Sequence, residues 1–225
     1  MKHIGFIMDG NRRWAKKLNN IASFGHKQGG DNVEPVLHMC LAAGIEYVSM
    51  WALSKENITE RSEFELTAIF GLIRYKIPRV LPSLIASSIR FEAIGNLSLL
   101  PEDIQTILAD AKEATAGGTK MTFSLVLGYS GQDEIVRGVK RCIAEGVDPA
   151  TLDEKEFLKY IDTGVFPPPD LIVRTGGNIR HSGYFLYQSA YSEYYFTETL
   201  WPDFDQSEFD RTIAYYDGIK RNFGK

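Results

Sequence analysis

The chain has 225 residues, of which 44% are hydrophobic and 24% are charged, and its formal net charge is −4. This composition excludes a disordered, collagen-like or disulfide-scaffold protein and predicts a single domain over residues 1–225. Because the balance is acidic, no bulk positive field is present to hold nucleic-acid phosphates, and we expect no nucleic-acid partner.

Five short apolar runs, each bounded by glycine, proline, serine or asparagine, predict buried β-strands. They are Ile4–Met8, Glu46–Leu53, Ile89–Ile94, Met121–Leu127 and Leu171–Val173. Apolar residues between them recur at helical spacing over 33–41, 104–111 and 135–143, and a capping box from Thr151 to Glu154 predicts a further short helix that ends before Pro167. Strands that alternate with helices predict an α/β fold, one domain with a mainly parallel sheet flanked by helices.

The segment from Ser62 to Ser88 is apolar around more than one stripe and predicts a helix that Pro78 and Pro82 should bend. Two interpretations stay open for it. The helix is buried by the sheet and a partner subunit, or it forms one wall of a long apolar cavity.

The two cysteines, Cys40 and Cys142, have no C-x-x-C spacing and lie on apolar helix faces, so neither a zinc site nor a disulfide is predicted. The N-terminal apolar run is too short for a signal sequence, and no stretch reaches the roughly 20 apolar residues that span a bilayer. We expect a cytoplasmic protein.

Polar side chains follow the predicted strands at the point where each strand ends. In an open parallel sheet the carboxyl ends of the strands share one edge, where such folds bind their ligands. The residues that follow the first, second, fourth and fifth strands are Asp9-Gly10-Asn11-Arg12-Arg13-Trp14, Ser54-Lys55-Glu56-Asn57 with Arg61, Gly128-Tyr129-Ser130-Gly131, and Arg174-Thr175-Gly176-Gly177 with Arg180 and Ser182.

This set of residues is typical of a site for phosphate or diphosphate esters with a divalent cation. Mg²⁺ is usually bound by one or two carboxylates and completed by the substrate phosphate, and Asp9 is the first candidate. Arginine offers a planar fork of donors that matches phosphate oxygens, so Arg13, Arg174 and Arg180 are the leading candidates for phosphate contacts.

Several of these positions also have structural interpretations. Asn57 and His26 could each cap a helix, and Trp14 is more often a packing residue than a ligand contact. Gly10 and the pair Gly176-Gly177 carry no side chain, and we expect their backbone N–H groups to approach phosphate oxygens.

The residues His3-Ile4-Gly5-Phe6-Ile7-Met8-Asp9-Gly10-Asn11-Arg12-Arg13-Trp14-Ala15 with Gly25-His26 resemble the opening of the cis-prenyltransferases, most closely the bacterial undecaprenyl diphosphate synthases. Later blocks are similar to this family in the same order. They are Ser54-Lys55-Glu56-Asn57, Arg174-Thr175-Gly176-Gly177, Arg180-His181-Ser182, and Glu193-Tyr194-Tyr195-Phe196 with Leu200-Trp201-Pro202-Asp203-Phe204. The likeness spans nearly the whole chain.

The resemblance implies an enzyme that adds isopentenyl diphosphate units to an allylic diphosphate, usually farnesyl diphosphate. The expected product is a long-chain cis-polyprenyl diphosphate such as undecaprenyl diphosphate, the lipid carrier of cell-wall synthesis. The same resemblance implies Mg²⁺ as the cofactor, a homodimer, an apolar tunnel for the growing chain, and delivery of the product to the inner face of the membrane.

By this resemblance Asp9 is catalytic and holds Mg²⁺, Asn57 assists proton removal, and Glu193 is a second metal-binding group that reaches across the dimer interface. The substrate-binding residues that it implies are Gly10, Asn11, Arg12, Arg13, Trp14, His26, Ser54, Lys55, Glu56, Ile58, Arg61, Arg174, Arg180, His181 and Ser182. The Ser62–Ser88 segment would line the tunnel, with Met121 at its floor.

The sequence departs from the family pattern at several positions. Ala22 replaces an arginine on the allylic phosphates, Ile58 a bulky aromatic residue, Asn178 a glutamate and Ile179 a histidine. The spacing after Asn57 is one residue longer than usual, so either Glu60 or Arg61 takes the substrate-binding position.

Two alternatives remain open from the sequence. Asp9-Gly10-Asn11 after an apolar strand could present the aspartyl nucleophile of a phosphatase, although the acidic pair that such an enzyme uses late in the chain is missing. The departures at Ala22 and Ile179 also fit a non-catalytic subunit that binds lipid without turnover.

Restoring the family's arginine at position 22 should strengthen allylic substrate binding. A charged hydrogen bond contributes roughly 1.5–3 kcal/mol, and about 1.4 kcal/mol is a factor of ten. We expect Ala22→Arg to lower the KM for the allylic diphosphate by about tenfold or more in steady-state kinetics, with Ala22→Gln as the uncharged control. An unchanged KM would contradict this assignment of position 22.

Overall fold

The computed structural model describes residues 1–220, and its six strands form one sheet. The strands are β1 His3–Ile7, β2 Tyr47–Ser54, β3 Ile89–Ile94, β4 Met121–Tyr129, β5 Leu171–Arg174 and β6 Glu193–Phe196. Their spatial order is β3-β4-β2-β1-β5-β6, and every neighbouring pair is parallel. The predicted α/β fold with a parallel sheet is therefore confirmed.

Helices connect the strands, as parallel crossovers require. The α-helices are α1 Asn11–Lys17, α2 Ala22–Asp31, α3 Val33–Ala42, α4 Lys55–Glu60, α5 Glu63–Ala86, α6 Glu102–Ala114, α7 Gly131–Ala144, α8 Glu154–Phe157 and α9 Gln206–Asp217.

Both faces of the sheet are covered. In β1, Ile4 and Phe6 pack into one hydrophobic cluster, whereas Ile7 packs into another that contains Ile172 and Phe185. A strand that is buried on both faces needs apolar residues at consecutive positions, which is why the strands read as unbroken apolar runs rather than as an alternating pattern.

Helix α5 is the long helix predicted from the sequence. The hydroxyl of Ser62 caps it by accepting a hydrogen bond from the backbone N–H of Glu65 at 3.3 Å, and the helix continues through Pro78 and Pro82 to Ala86. Its buried residues recur at helical spacing and are Ile69, Ile73, Ile77 and Leu84.

Two parts of the predicted secondary structure are wrong. Strand β6 was not predicted, because its four residues, three of them aromatic, have neither an unbroken aliphatic run nor an alternating pattern. The capping box at Thr151 is not formed, because the carboxylate of Asp153 caps α8 instead, accepting from the N–H of Glu156 at 2.6 Å.

The carboxyl end of β2 is irregular. Its register with β4 shifts between Trp51 and Leu53, where Ala52 has no partner, and again between Leu53 and Ser54, where Gly128 of β4 has none. The two shifts compensate, so Ser54 returns to the original register, opposite Tyr129. Ser54, which caps α4, lies at the edge of the sheet where β1 and β5 also end.

His3 is a buried histidine at the opposite edge of the sheet. Its Nδ1 lies 2.7 Å from the carbonyl oxygen of Pro167, and its Nε2 lies 2.8 Å from Oγ of Ser49. A neutral ring that donates from Nδ1 and accepts at Nε2 satisfies both contacts. Burial lowers the pKa of His3 to about 4, although the Pro167 hydrogen bond and the charge of Asp170 act in the opposite direction.

The depressed pKa of His3 makes folding stability depend on pH. Between about pH 6.5 and pH 4 the unfolded chain binds a proton at His3 that the native chain does not, so acidification removes about 3 kcal/mol of stability through this group. We expect His3→Gln to lose less stability between pH 7 and pH 4.5 in urea unfolding than the parent protein does. His38→Gln, on the exposed side of α3, is the control and should follow the parent. Equal losses in all three proteins would contradict the prediction.

Candidate active site

Two adjoining cavities are present, a polar one at the carboxyl edge of the sheet and an apolar one that extends from it between α5 and β4. The polar cavity has a volume of about 470 Å³ and the apolar cavity about 190 Å³. They share the lining residues Met8, Asn11, His26 and Ala52. The predicted site residues that line the polar cavity are Asp9, Gly10, Asn11, Arg12, Arg13, His26, Ser54, Asn57, Arg61, Arg174, Arg180 and Ser182.

Asp9 follows β1 by two residues and is held by three donors. Its Oδ2 accepts from Nη2 of Arg174 at 3.0 Å and from Nδ2 of Asn178 at 2.8 Å, and its Oδ1 accepts from Nη2 of Arg13 at 3.2 Å. Burial raises the pKa of Asp9, but the hydrogen bonds from Asn178 and Arg174 and the charges of Arg174 and Arg13 outweigh it, so the pKa lies below its usual value. Asp9 is therefore a carboxylate at neutral pH.

Arg174 ends β5 and is 5% exposed. While its Nη2 donates to Asp9, its Nη1 donates to the backbone oxygen of Arg180 and to Oγ of Ser182, each at 2.7 Å. One guanidinium group thus fixes the end of β1 and the loop that carries the next arginine, and it brings Asp9, Arg180 and Ser182 to the same wall.

A second polar cluster, formed by Asn57, Arg61, His26 and Glu65, lies where the two cavities meet. Nη2 of Arg61 donates to Oδ1 of Asn57 at 3.1 Å, and Nη1 donates to Oε1 of Glu65 at 2.7 Å. The same glutamate oxygen lies 3.1 Å from Nε2 of His26. Burial, helped by the nearby charges of Arg61 and Arg12, lowers the pKa of His26 despite Glu65, so this histidine is neutral at pH 7.

The capping interpretations of two site residues are wrong. Helix α4 begins after Ser54, whose Oγ accepts from the N–H of Asn57 at 3.0 Å, so Asn57 lies in the first turn with its side chain toward Arg61. Helix α2 begins at Ala22, which places His26 inside the helix. Ala22 itself lies one turn before His26 and on the same face of α2.

The expected role of the backbone at Gly176 and Gly177 is also wrong. Their N–H groups donate to the carbonyl oxygens of Thr199 and Thr197, each at 2.8 Å, and are not free for a phosphate. Both glycines have positive φ angles, of +83° and +76°, and a Cβ on Gly176 would lie 2.5 Å from Nη2 of Arg13. The left-handed backbone conformation favours glycine at both positions.

Some predicted substrate contacts do not line either cavity. Trp14 donates from Nε1 to Asp203 at 2.6 Å and stacks on Phe24, and Lys55 pairs with Asp133. The other positions outside the cavity walls are Glu56, which is exposed, Ile58, which packs at the edge of the core, and His181, whose Nδ1 accepts from the N–H of Gly183. Their contacts with substrate stay predictions.

Glu193 is not near Asp9 within one chain. It is the first residue of β6 and lies opposite Leu171, which in turn lies opposite Ile4. Three residues of strand separate this level from Ile7, which is about 10 Å at 3.3 Å per residue. The predicted gathering of Glu193 with Asp9 is therefore absent from the single chain, and a role for Glu193 across a dimer interface stays a prediction.

The structure adds three residues that the sequence analysis did not assign to the site. Asn178 and Trp51 line the polar cavity, and Glu65 joins His26 to Arg61. The spacing Ser62-x-x-Glu65 is a signal of a capping box, in which the glutamate would turn back to its own helix. Instead, the side chain of Glu65 reaches α2.

Arg61, rather than Glu60, faces the polar cavity. Glu60 is exposed on the last turn of α4, whereas Arg61 is the residue that ends this helix and carries the contacts to Asn57 and Glu65. The longer spacing after Asn57 thus still delivers an arginine to the site.

Comparison with known proteins identifies the family. The sequence matches the family described as "Putative undecaprenyl diphosphate synthase" over residues 7–224. The chain belongs to this family. The isoprenyl transferase of Treponema denticola is 39% identical over 100% of this chain and 97% of its own length. In Acinetobacter baylyi, the ditrans,polycis-undecaprenyl-diphosphate synthase ((2E,6E)-farnesyl-diphosphate specific) is 36% identical over 100% of this chain and 91% of its own length.

Solved structures of this synthase family share the fold. Lavandulyl diphosphate synthase from Lavandula x intermedia, in complex with dimethylallyl diphosphate, superposes with a TM-score of 0.95 at 31% identity, covering 100% of this chain and 98% of that chain. A probable undecaprenyl diphosphate synthase from Campylobacter jejuni gives a TM-score of 0.84 at 30% identity, covering 100% and 99%. The predicted family and the predicted prenyltransferase activity are confirmed, and the phosphatase alternative is wrong.

No helix within residues 1–220 of this synthase-family chain is long and apolar enough to cross a membrane. Phe123 and Leu125 of β4 line the apolar cavity together with five aliphatic residues of α5, namely Ile69, Leu72, Ile73, Ile77 and Val80. Met121, the expected floor, is buried two residues before Phe123 on the same face of β4 and does not reach the cavity wall.

Asn178 gives the first test of the site in this prenyltransferase. Asn178→Asp replaces an amide donor by a carboxylate of the same size, so the hydrogen bond to Asp9 is lost and two like charges face each other. We expect kcat/KM for prenyl transfer to fall at least tenfold, which corresponds to about 1.4 kcal/mol. Ile179→Ala, at the neighbouring position whose side chain is exposed, should leave kcat/KM unchanged. Equal activity of both variants would remove Asn178 from the site.

Proposed function

We propose that this prenyltransferase condenses isopentenyl diphosphate units with farnesyl diphosphate and makes a long-chain cis-polyprenyl diphosphate of the undecaprenyl type. The observation that carries the proposal is the junction of the two cavities. A wall of arginines opens directly, past Met8, Asn11, His26 and Ala52, into a cavity lined by aliphatic side chains. A prenyl diphosphate matches this arrangement, because its charged diphosphate fits the polar cavity and its hydrocarbon tail fits the apolar cavity.

The diphosphate groups are assigned to the two basic walls. On one side, α1 begins at Asn11, directly after Gly10, which has a φ of +111°, and no side chain caps it, so the first turn of the helix lines the cavity together with Arg13. Helix N-termini and arginine forks both favour anions. On the other side, Arg174 holds Arg180 and Ser182 in place. We assign the allylic diphosphate to the first wall and isopentenyl diphosphate to the second.

Asp9 is the residue that would hold Mg²⁺. Residues 1–220 contain no group of three or more histidine, cysteine, aspartate or glutamate side chains arranged to bind a metal. The partly exposed carboxylate of Asp9 in a cavity suited to diphosphates fits the way Mg²⁺ is held in phosphate enzymes, by one or two carboxylates with substrate phosphate and water. When bound, the ion would neutralise charge that develops on the leaving diphosphate.

We assign the remaining steps of the reaction to side chains that line the polar cavity. Departure of the allylic diphosphate leaves a carbocation, and the preorganised Arg13 and Arg174 stabilise the charge on the leaving group. Arg180 and Ser182 orient the isopentenyl double bond for attack. This attack forms the new C–C bond and moves the positive charge onto the isopentenyl unit. Asn57, fixed by Arg61 at Oδ1, assists removal of the proton whose loss converts that cation into the new double bond.

A homodimer is part of the proposal. Strand β6 is at the edge of the sheet, and the rings of Tyr194 and Phe196 stack at 5.8 Å without being buried. Glu193 begins this strand, away from the Asp9 of its own chain. A second chain packed on this edge would bury the aromatic side chains and bring Glu193 to the metal site of its partner, as the family resemblance implies.

Labelled isopentenyl diphosphate tests the function directly. We expect the purified chain, given farnesyl diphosphate and Mg²⁺, to incorporate label into an organic-extractable lipid that contains several added isoprene units. Asp9→Ala should reduce this incorporation at least a hundredfold, because it removes the metal ligand and leaves Arg174 buried without its partner. Absence of labelled lipid from a correctly folded parent protein would overturn the proposal and favour a non-catalytic subunit.

A further inference from the structure

The apolar cavity has a second end, opposite its junction with the polar cavity. There it reaches the surface between α5 and the segment where α2 gives way to α3, and its lining changes from aliphatic to charged. The charged residues at this outer mouth are Asp31, Glu34, Lys76 and Arg79. Charged side chains do not contribute to the binding of a hydrocarbon, so these four residues must have another role.

One ion pair crosses the outer mouth. Nζ of Lys76, on α5, donates to Oδ1 of Asp31, the last residue of α2. The other two charged residues make contacts along their own helices, Glu34 with His38 at 3.8 Å and Arg79 over the ring of Tyr75 at 3.6 Å. Of the four charged residues at the mouth, only Asp31 and Lys76 therefore connect the two sides.

The same two helices are joined at the inner end of the cavity by the contact between Glu65 of α5 and His26 of α2. Between the two polar links, Gly30 of α2 faces Leu72 of α5, and a Cβ on this glycine would lie 3.2 Å from Cδ2 of Leu72. Helix α5 is thus fastened to α2 at both ends of the cavity, with close apolar packing between the fastenings.

The apolar cavity is too small for a long hydrocarbon. Its volume is about 190 Å³, whereas an engineered cavity of roughly 150 Å³ is occupied by one benzene molecule. A fifteen-carbon farnesyl chain needs more than twice the space of benzene, and every isoprene unit adds to it. A growing chain must therefore displace α5 or leave through the outer mouth.

We propose that the Asp31–Lys76 ion pair closes the outer mouth, and that the elongating prenyl chain emerges between α2 and α5 when this pair separates. The pair therefore limits product length. This inference rests on the proposed function, since it concerns the chain that the proposed reaction lengthens.

The Asp31–Lys76 ion pair is weak enough for a growing prenyl chain to separate it. Side-chain exposure is 38% for Asp31 and 28% for Lys76, and exposed pairs of this kind contribute little to stability. Asp31 also has a second partner, because Nζ of Lys27 on its own helix lies 3.7 Å from Oδ2. Separation from Lys76 thus leaves Asp31 paired, while each added isoprene unit buries apolar surface that favours the open state.

Charge reversal tests the closure. Lys76→Glu places a carboxylate opposite Asp31 and should shift the product distribution, resolved by chromatography and mass spectrometry, to chains longer by at least one isoprene unit. The double variant Asp31→Lys with Lys76→Glu restores an attractive pair and should return the distribution toward that of the parent. Arg74→Gln is the matched control, because Arg74 lies on the same helix but pairs with Asp103 of α6, away from the mouth.

A covalent closure gives the opposite shift. Asp31→Cys with Lys76→Cys, bridged by a bismaleimide, should make shorter products than the same unbridged protein, since Cys40 and Cys142 are buried and will react slowly. If Lys76→Glu fails to fold, the comparison of bridged with unbridged protein tests the closure in its place.

Two outcomes overturn the closure. One is an unchanged product length in a folded Lys76→Glu protein, and the other is an unchanged product length after bridging. Failure of the proposed function is distinguishable from either, because the parent protein would then form no elongated product at all.

Discussion

The contact between Asp9 and Arg174 is the interaction on which the site depends. Arg174 lies opposite Ile7 in the register of the sheet, so the ends of β1 and β5 are adjacent. A guanidinium group that is 5% exposed needs an anionic partner and further acceptors, and Asp9, Ser182 and the backbone oxygen of Arg180 provide them. Removal of one partner from a buried pair costs about 3–5 kcal/mol, and the partly exposed Asp9 places this pair at the lower end of that range.

This contact also explains why the site is assembled before substrate arrives. Arg174, Asn178 and Arg13 donate to Asp9, and the backbone oxygen of Arg180 accepts from Arg174, so these residues are positioned relative to the carboxylate by contacts within the protein. Preorganised charge of this kind lowers a barrier because it does not have to reorient during the reaction. The same groups keep Asp9 ionised, which a hard metal ion requires of its ligand.

The sequence predicted those parts of the molecule that follow from strand order and periodicity. Parallel strands end at one edge, so naming the residues after each apolar run was enough to bring Asp9, Asn57 and Arg174 together, and the structure confirms this convergence. It also predicted α5, because a helix with apolar residues on most sides must be covered or must enclose a cavity.

The parts that could not be predicted depend on contacts between distant segments. The N–H groups of Gly176 and Gly177 are used by Thr199 and Thr197, and nothing near the glycines in sequence reveals this. Glu65 has the spacing of a capping residue but reaches His26, 39 positions earlier in the chain. Strand β6 pairs with β5 at the edge of the sheet. Its tyrosines and phenylalanine favour strands, but its four residues are few and do not alternate, so the pairing partner decides the structure.

Asn178 replaces the glutamate of the family pattern and changes the charge beside Asp9. A glutamate at this position would place a second carboxylate beside Asp9, and only a metal ion or a proton would make that pair stable. The amide instead donates to Asp9 from Nδ2 and lies with Oδ1 3.4 Å from Nη1 of Arg180, so it links the carboxylate to the arginine without adding charge. Relative to the family pattern, Asn178 removes one negative charge and Ala22 removes one positive charge, so the two departures cancel in net charge. Asn178 is therefore consistent with the loss of an arginine at Ala22.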